Sequence, residues 1–255
     1  MDRAHGWVPN ELVASADLNE VQDRAASLYD VAATHNGHGP RLWSQTGTVL
    51  QVQGPSMMSR GSVTTAVRFD ALNGVVDPAA LPTPVVLGPN AWYYVYLINI
   101  GSRSAPNGDF EISTTGPDTA SRAFKSGDGS RLYLGCFLTD GSNNIRPFRC
   151  EDGRFLYEFN AALTAGTGTT TGSFADVDLS PFLPPHARVA RLLSVVASPS
   201  FASPSRVRRK GATNAGVPLH GASTYFECET DSNRFVQYDA AGATSVTLYV
   251  QGFYE

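Results

Sequence analysis

The stretch from Trp92 to Ile100 (WYYVYLINI) constrains the fold more than any other part of the chain. Every residue in it except Asn99 is apolar or aromatic. Trp92, Tyr94, Tyr96, Ile98 and Ile100 form one alternating set, and Tyr93, Val95 and Leu97 form the other. A strand that is apolar on both faces is covered above and below, so it belongs in the middle of a sheet. Aromatic and β-branched side chains favour a strand here, and Pro89-Asn90 and Gly101-Ser102 punctuate its ends. The run is far too short to span a bilayer. Tyrosine hydroxyls in so apolar a strand are expected to reach polar groups at a domain edge or a subunit contact.

The rest of the sequence reads as turn-rich β structure. The 255 residues include 24 Gly and 16 Pro, with abundant Ser and Thr. A net charge of −4 argues against a nucleic-acid partner, which needs a basic field. Three cysteines do not make a disulfide scaffold. The opening residues MDRAHGWVPNE lack the basic and apolar regions of a secretory signal, and no segment is apolar enough for membrane insertion. The chain is therefore expected to be made in a cytoplasm. It would reach the outside by assembling into a particle.

Residues 1–40 differ in character from the rest of the chain. Trp7, Val8, Leu12 and Val13 are apolar hooks on an extended arm around Pro9. Ser15 is placed to cap a helix, with Asp17 and Glu20 in its first turns. Leu18, Val21, Ala25, Leu28 and Ala32 repeat at heptad spacing. The helix is read either as docked on something larger or as a short dimeric or trimeric neck. In both readings Trp7, Leu12, Leu18, Val21, Ala25 and Leu28 form an attachment device. Gly37 and Pro40 stop the helix. His35 and His38 lack an acid or Cys at ligand spacing, so no metal is expected there.

Residues 41–160 read as a first antiparallel β domain. Expected strands include Thr46 to Val52, Val63 to Phe69, Arg131 to Leu138 and Gly153 to Asn160. Ala71 to Leu87 is Pro-interrupted and cannot be a central strand. Asp140 to Asn144 (DGSNN) is a hairpin turn that would set Cys136 nearly opposite Cys150. Residues 161–172 (AALTAGTGTTTG) read as a linker. Residues 173–255 read as a second β domain, a sandwich, whose last strand turns Val246, Leu248 and Val250 inward. The expected fold is thus mostly β: an arm and short helix, then two antiparallel sandwich or jelly-roll-like domains.

Several runs carry a family resemblance. NAWYYVYL, EISTTGPD and GSRLYLGCFLTDGSNNIRPF together resemble a module of tailed-phage fibre and spike proteins. DVDLSPFLPPHARVARL, VRRKG, ETDSNRFVQYDA and the closing VQGFY resemble the terminal β-sandwich of phage tail and head fibres. SADLNEVQDRA looks like the virion-proximal end of such proteins. The resemblance implies a homotrimer on the surface of a virion or phage-like particle. It would be anchored to other virion proteins (capsid, portal or tail) and adhere to a host-surface glycan. Typical tail fibres are longer, with a repetitive shaft absent here. A short head spike, head fibre or decoration protein, of a phage or gene-transfer particle, fits the length better.

Three groups of side chains could carry chemistry. Glu227 and Glu229 lie on one face of an expected strand about 7 Å apart, with Asp231 behind. That is the separation of an inverting glycosidase pair, the mark of a cation site, or an ordinary solvated edge. Arg206, Arg208, Arg209 and Lys210 could grip an anionic capsule or lipopolysaccharide, or simply solvate a strand end. His220, Tyr225, Asp231, Asn233, Arg234 and Tyr238 mix rings with amides and acids, as sugar binding and subunit contacts both do. His186 follows Pro185 with no acid to orient it. There is no Gly-x-Ser-x-Gly elbow, phosphate loop or Cys-x-x-Cys pair, and no cofactor is expected. The expected role is a non-enzymatic structural adhesin, with a glycan-degrading tailspike as the less favoured alternative.

Overall fold

The computed structural model describes residues 41–53, 57–58, 67–68, 73–98, 110–119, 124–151, 153–158, 163–168, 173–200, 202–241, 243 and 245–254. The expected arm and helix, with Trp7, Leu12, Leu18, Val21, Ala25 and Leu28, lie outside the described residues.

The described chain is mostly β. Its first strands are β1 (Arg41–Ser44), β2 (Leu50–Gln53), β3 (Met57–Met58), β4 (Val67–Arg68) and β5 (Asn73–Val76). After one 3-10 turn at Pro78–Ala80 come β6 (Trp92–Leu97), β7 (Phe110–Ser113), β8 (Phe124–Lys125) and β9 (Asp128–Leu138). Then follow β10 (Phe148–Glu151), β11 (Arg154–Tyr157), β12 (Leu163–Gly168), β13 (Ala175–Asp178) and β14 (Val189–Ala197). The last are β15 (Ser205–Arg209), β16 (Val217–Leu219), β17 (Ser223–Glu229), β18 (Phe235–Asp239) and β19 (Ser245–Tyr254). Among the described residues no helix is long and apolar enough to cross a membrane.

The Trp92 run becomes β6, the inner strand of a sheet ordered β7–β6–β9–β8. Tyr93 through Leu97 are all buried, as two apolar faces require. The strand ends at Leu97, and Asn99 and Ile100 lie outside the described residues. The tyrosine hydroxyls find polar partners at its margins. Tyr93 accepts from the Gly88 N–H at 2.7 Å, and Tyr96 donates to the Thr115 carbonyl at 2.8 Å.

The largest sheet runs β17–β14–β19–β11–β10–β1–β2–β5, with β12 also beside β19. Its pairs are antiparallel throughout. β19 organises it. One edge pairs with β14 along its whole length, while β12 and β11 share the other edge. β12 therefore sits inside the stretch read as a linker, and one sheet joins strands from both sides of it. β5 lies at the far end, where its Pro-interrupted surroundings are tolerated.

Aromatic packing ties the two sheets together. Phe155 stacks on Phe253 at 4.6 Å and on Phe148 at 4.9 Å, and Trp92 meets Phe155 and Phe253 edge-on. Each such ring pair adds about 0.5–1.5 kcal/mol beyond its buried area. Cys136 and Cys150 are not cross-strand neighbours. Cys136 pairs with Tyr94, and Cys150 pairs with Leu42 and Phe155. The turn at Asp140 forms, but its ladder goes no further than the Thr139–Ile145 bridge. Pro147 offers no N–H to continue it, and the Phe148 N–H goes instead to Ser44 Oγ at 3.1 Å. β10 is thereby delivered to the large sheet.

A further sheet is ordered β13–β18–β15–β16. Its buried Val177, Val207 and Val236 share one core with Leu192, Val196, Leu248 and Val250 of the large sheet. Val246, Leu248 and Val250 do point inward.

Candidate functional site

Of the charged groups singled out in the sequence, Arg208, Arg209, Lys210, Glu227 and Glu229 line one cleft, and Arg206 and Asp231 do not. The cleft lies between β17 and the β15–β16 hairpin and has a volume of about 620 Å³. β17 reads Ser-Thr-Tyr-Phe-Glu-Cys-Glu, and alternation exposes Ser223, Tyr225, Glu227 and Glu229. Thr224, Phe226 and Cys228 turn the other way. Across the cleft, the hairpin reverses at Gly211 and Gly216, both at positive φ. Gly216 is obligatory, since a Cβ there would meet the Val207 carbonyl oxygen at 2.7 Å.

The basic cluster is held by specific partners. Arg208 lies 3.6 Å over the Phe174 ring, donates from Nε to Gln237 Oε1 at 3.0 Å, and from Nη1 to the Asn214 carbonyl at 3.0 Å. Gln237 donates on to Asp176, which also takes Lys210. The Lys210 hydrogen bond holds the Asp176 carboxyl below its usual range and raises the Lys210 ammonium above its own. Arg209 reaches across the cleft mouth to Glu229 at 3.8 Å.

The acidic wall is similarly engaged. The Tyr254 hydroxyl donates to Glu227 Oε1 at 2.6 Å, which pushes its own pKa up. Between the two acids, burial lifts the Cys228 thiol to about 11, with the Glu229 charge adding to it. That thiol stays protonated and is no nucleophile. The cleft thus offers guanidinium and ammonium donors, carboxylate and carbonyl acceptors, and a small apolar floor at Val207 and Val217. Such a mixture suits a hydroxyl-rich ligand. Among the described residues no three His, Cys, Asp or Glu side chains gather as metal ligands would.

The six glycan-binding candidates separate. His220, just after β16, and Tyr225, on β17, are both exposed. Asp231, Asn233 and Arg234 come together in the β17–β18 turn. Asp231 Oδ1 accepts the N–H groups of Asn233 at 3.0 Å and Phe235 at 2.7 Å. Arg234 takes positive φ there and donates to the Leu183 carbonyl at 2.9 Å. These bonds shape the turn. Four residues of strand put the end of β17, where this turn begins, about 13 Å from Tyr225. Tyr238 is 6% exposed and faces the core, so a surface ligand does not reach it.

Other surface groups were not singled out in the sequence. Arg191 and Leu193, on β14 beside β17, and Tyr249 and Tyr254, on β19 beyond it, lie on the outer face of the sheet. The alternation in RVARLLSVVA was the signal for Arg191 and Leu193. His186 is a core residue, with Nε2 3.3 Å from the Tyr133 hydroxyl and its ring against Tyr94. No protein-family model matches the chain, and neither does any curated protein.

Proposed function

We propose that the chain is a non-enzymatic structural adhesin on the surface of a phage or phage-like particle, binding host-surface polysaccharide through its C-terminal part. The observation that carries the glycan reading is the cleft beside β17. Its hairpin wall carries donors and its β17 wall carries acceptors, and such facing polar groups can hydrogen-bond a hydroxyl-rich ligand. The particle reading rests on the phage-fibre motifs in the sequence. In this reading residues 1–40 anchor the protein to capsid, portal or tail, and the protomers form a trimer. The β13–β18–β15–β16 sheet and the β17–β14–β19 part of the large sheet act as the two leaves of a β-sandwich, a reading supported by their common core.

Two experiments test it. Deleting residues 1–40 should abolish incorporation into particles and leave a folded chain; normal incorporation counts against the anchor. Intact protein applied to purified host capsule and lipopolysaccharide should bind without releasing oligosaccharide. Released fragments would favour the enzymatic alternative, with Glu227 and Glu229 as its carboxylates. Imaging of labelled particles separates a tail fibre from a head spike.

A further inference from the structure

The outer face of β17–β14–β19 has an ordered pattern. Tyr225 stands directly opposite Leu193, and Leu193 opposite Tyr249, so one apolar row crosses three strands. Tyr225 is 64% exposed and the other two are half-buried. Two strand spacings put the tyrosines about 10 Å apart. Polar rows border this row on both sides. Ser223 and Thr247 flank the 39% exposed Val195 in one, and Glu227 opposite Arg191 begins the other. Beyond it, Glu229, Val189 and Tyr254 align, with the Arg154 guanidinium 5.9 Å over the Tyr254 ring.

A protein partner favours a contiguous apolar patch. Here Tyr225 lies between Ser223 and Glu227 and Tyr249 follows Thr247, so both rings have polar neighbours along their strands, and Val195 beside Leu193 is the apolar exception. A sugar ring has the matching form, with a C–H face and a rim of hydroxyls. Arg191 stands opposite Glu227 and Arg154 lies over Tyr254, so charges of both signs border the apolar row. The face is also continuous with the cleft. β17 is an edge strand, and its Glu227 and Glu229 belong to both surfaces.

We propose that the Tyr225–Leu193–Tyr249 row is a stacking platform for successive residues of one polysaccharide chain whose neighbouring residues occupy the cleft. This rests on the glycan reading above and adds that the ligand is an extended chain rather than a single terminal sugar. The test uses full-length protein on a printed panel of bacterial capsular and lipopolysaccharide glycans, each as intact chain and as size-fractionated fragments. Affinity should rise with fragment length. Tyr225→Ala and Tyr249→Ala should each weaken binding to the longest fragments about tenfold, the effect of losing an anchoring aromatic, with little change for the shortest. Tyr225→Phe should retain most of the binding because the ring remains. Val86→Ser, at a 92% exposed residue remote from both surfaces in the chain, should behave as wild type, and thermal melts would confirm that every variant folds.

Length-independent binding, or intact-chain affinity unchanged in Tyr225→Ala, would overturn the platform and leave the cleft reading standing. Wild-type protein that binds no glycan on the panel would overturn both. Loss of self-association in Tyr225→Ala, measured by solution mass, with glycan binding intact, would overturn the platform by making the face a subunit contact.

Discussion

Phe155 on β11 and Phe253 on β19 stack almost parallel, 13° apart, and they are also paired in register. Nearly a hundred residues separate them in sequence. Phe155 also touches Trp92, Phe148 and Tyr157, and it is fully buried. Phe155→Ala should therefore cost about 3–5 kcal/mol. Because the ring joins strands from either side of residues 161–172, the loss should shift a single unfolding transition. Urea titration followed by tryptophan fluorescence and by far-UV circular dichroism should give coincident curves. Separate transitions would mean that the two halves unfold independently.

Gly252 shows how tightly this junction is built. A Cβ there would run into the Phe155 carbonyl oxygen, which is backbone and cannot swing away. Gly252→Ala should lose at least about 2 kcal/mol. Gly129 is also in a strand, but a Cβ there meets nothing within 4 Å. Gly129→Ala should be neutral or stabilising by about 0.5 kcal/mol. Equal melting temperatures for the two variants would contradict the close approach.

The same junction shows where the sequence can be read and where it cannot. β6 is legible because both alternating sets are apolar, and β17 because seven residues alternate between turns; its bounds in the structure are Ser223 and Glu229. Alternation carried through β19 from Thr247 and Tyr249 would put Phe253 outside. A register shift opposite Arg191 and Leu192 re-phases the strand and buries Phe253 instead. β12 is illegible for another reason. Its Leu-Thr-Ala-Gly-Thr-Gly sequence has weak strand preference, and pairing with β19 makes it a strand. At the site, charged residue types were visible along the chain. Their meeting across the cleft depends on how two sheets pack, which local pattern does not encode.

Acid should weaken the β7–β6–β9–β8 sheet through Glu111. Burial alone would raise its pKa, but hydrogen bonds from Lys125 and Arg131 outweigh this and hold the carboxyl below its usual range. Arg131 Nε lies 2.7 Å away, and Lys125 bonds the other oxygen. A depressed folded-state pKa gives stability that is present above the unfolded pKa and lost as pH falls through the folded one. Glu111→Gln should thus be less stable by about 1 kcal/mol at pH 7. The difference from wild type should shrink as pH drops below about 4. A difference that stays constant with pH would exclude this carboxylate as the acid-sensitive group.

The cysteines should be silent in the native state. Cys228 keeps its proton below about pH 11, and Cys136 and Cys150 are 0% and 2% exposed. Raising the Cys228 pKa from 9.0 to about 11 lowers its thiolate fraction at pH 8 about a hundredfold, before limited access is counted. Native protein should therefore be nearly inert to iodoacetamide at pH 8, and three thiols should be labelled in denaturant. Rapid native labelling of Cys228, read by mass spectrometry, would mean that the β17 wall of the cleft opens.

Arg208 holds the shape of the cleft, and lysine should not replace it. A guanidinium is flat enough to lie on Phe174 while its separate nitrogens reach Gln237 and the Asn214 carbonyl. An ammonium is a single point of charge and cannot hold all three contacts. Arg208→Lys should leave the net charge unchanged, destabilise the β15–β16 hairpin by about 1–2 kcal/mol and speed amide exchange at Val217 and Leu219. Exchange at Leu192 and Leu248, in the core of the large sheet, should not change. If a long-range field rather than geometry were what mattered at this position, Arg208→Lys would exchange like wild type and only Arg208→Gln would differ.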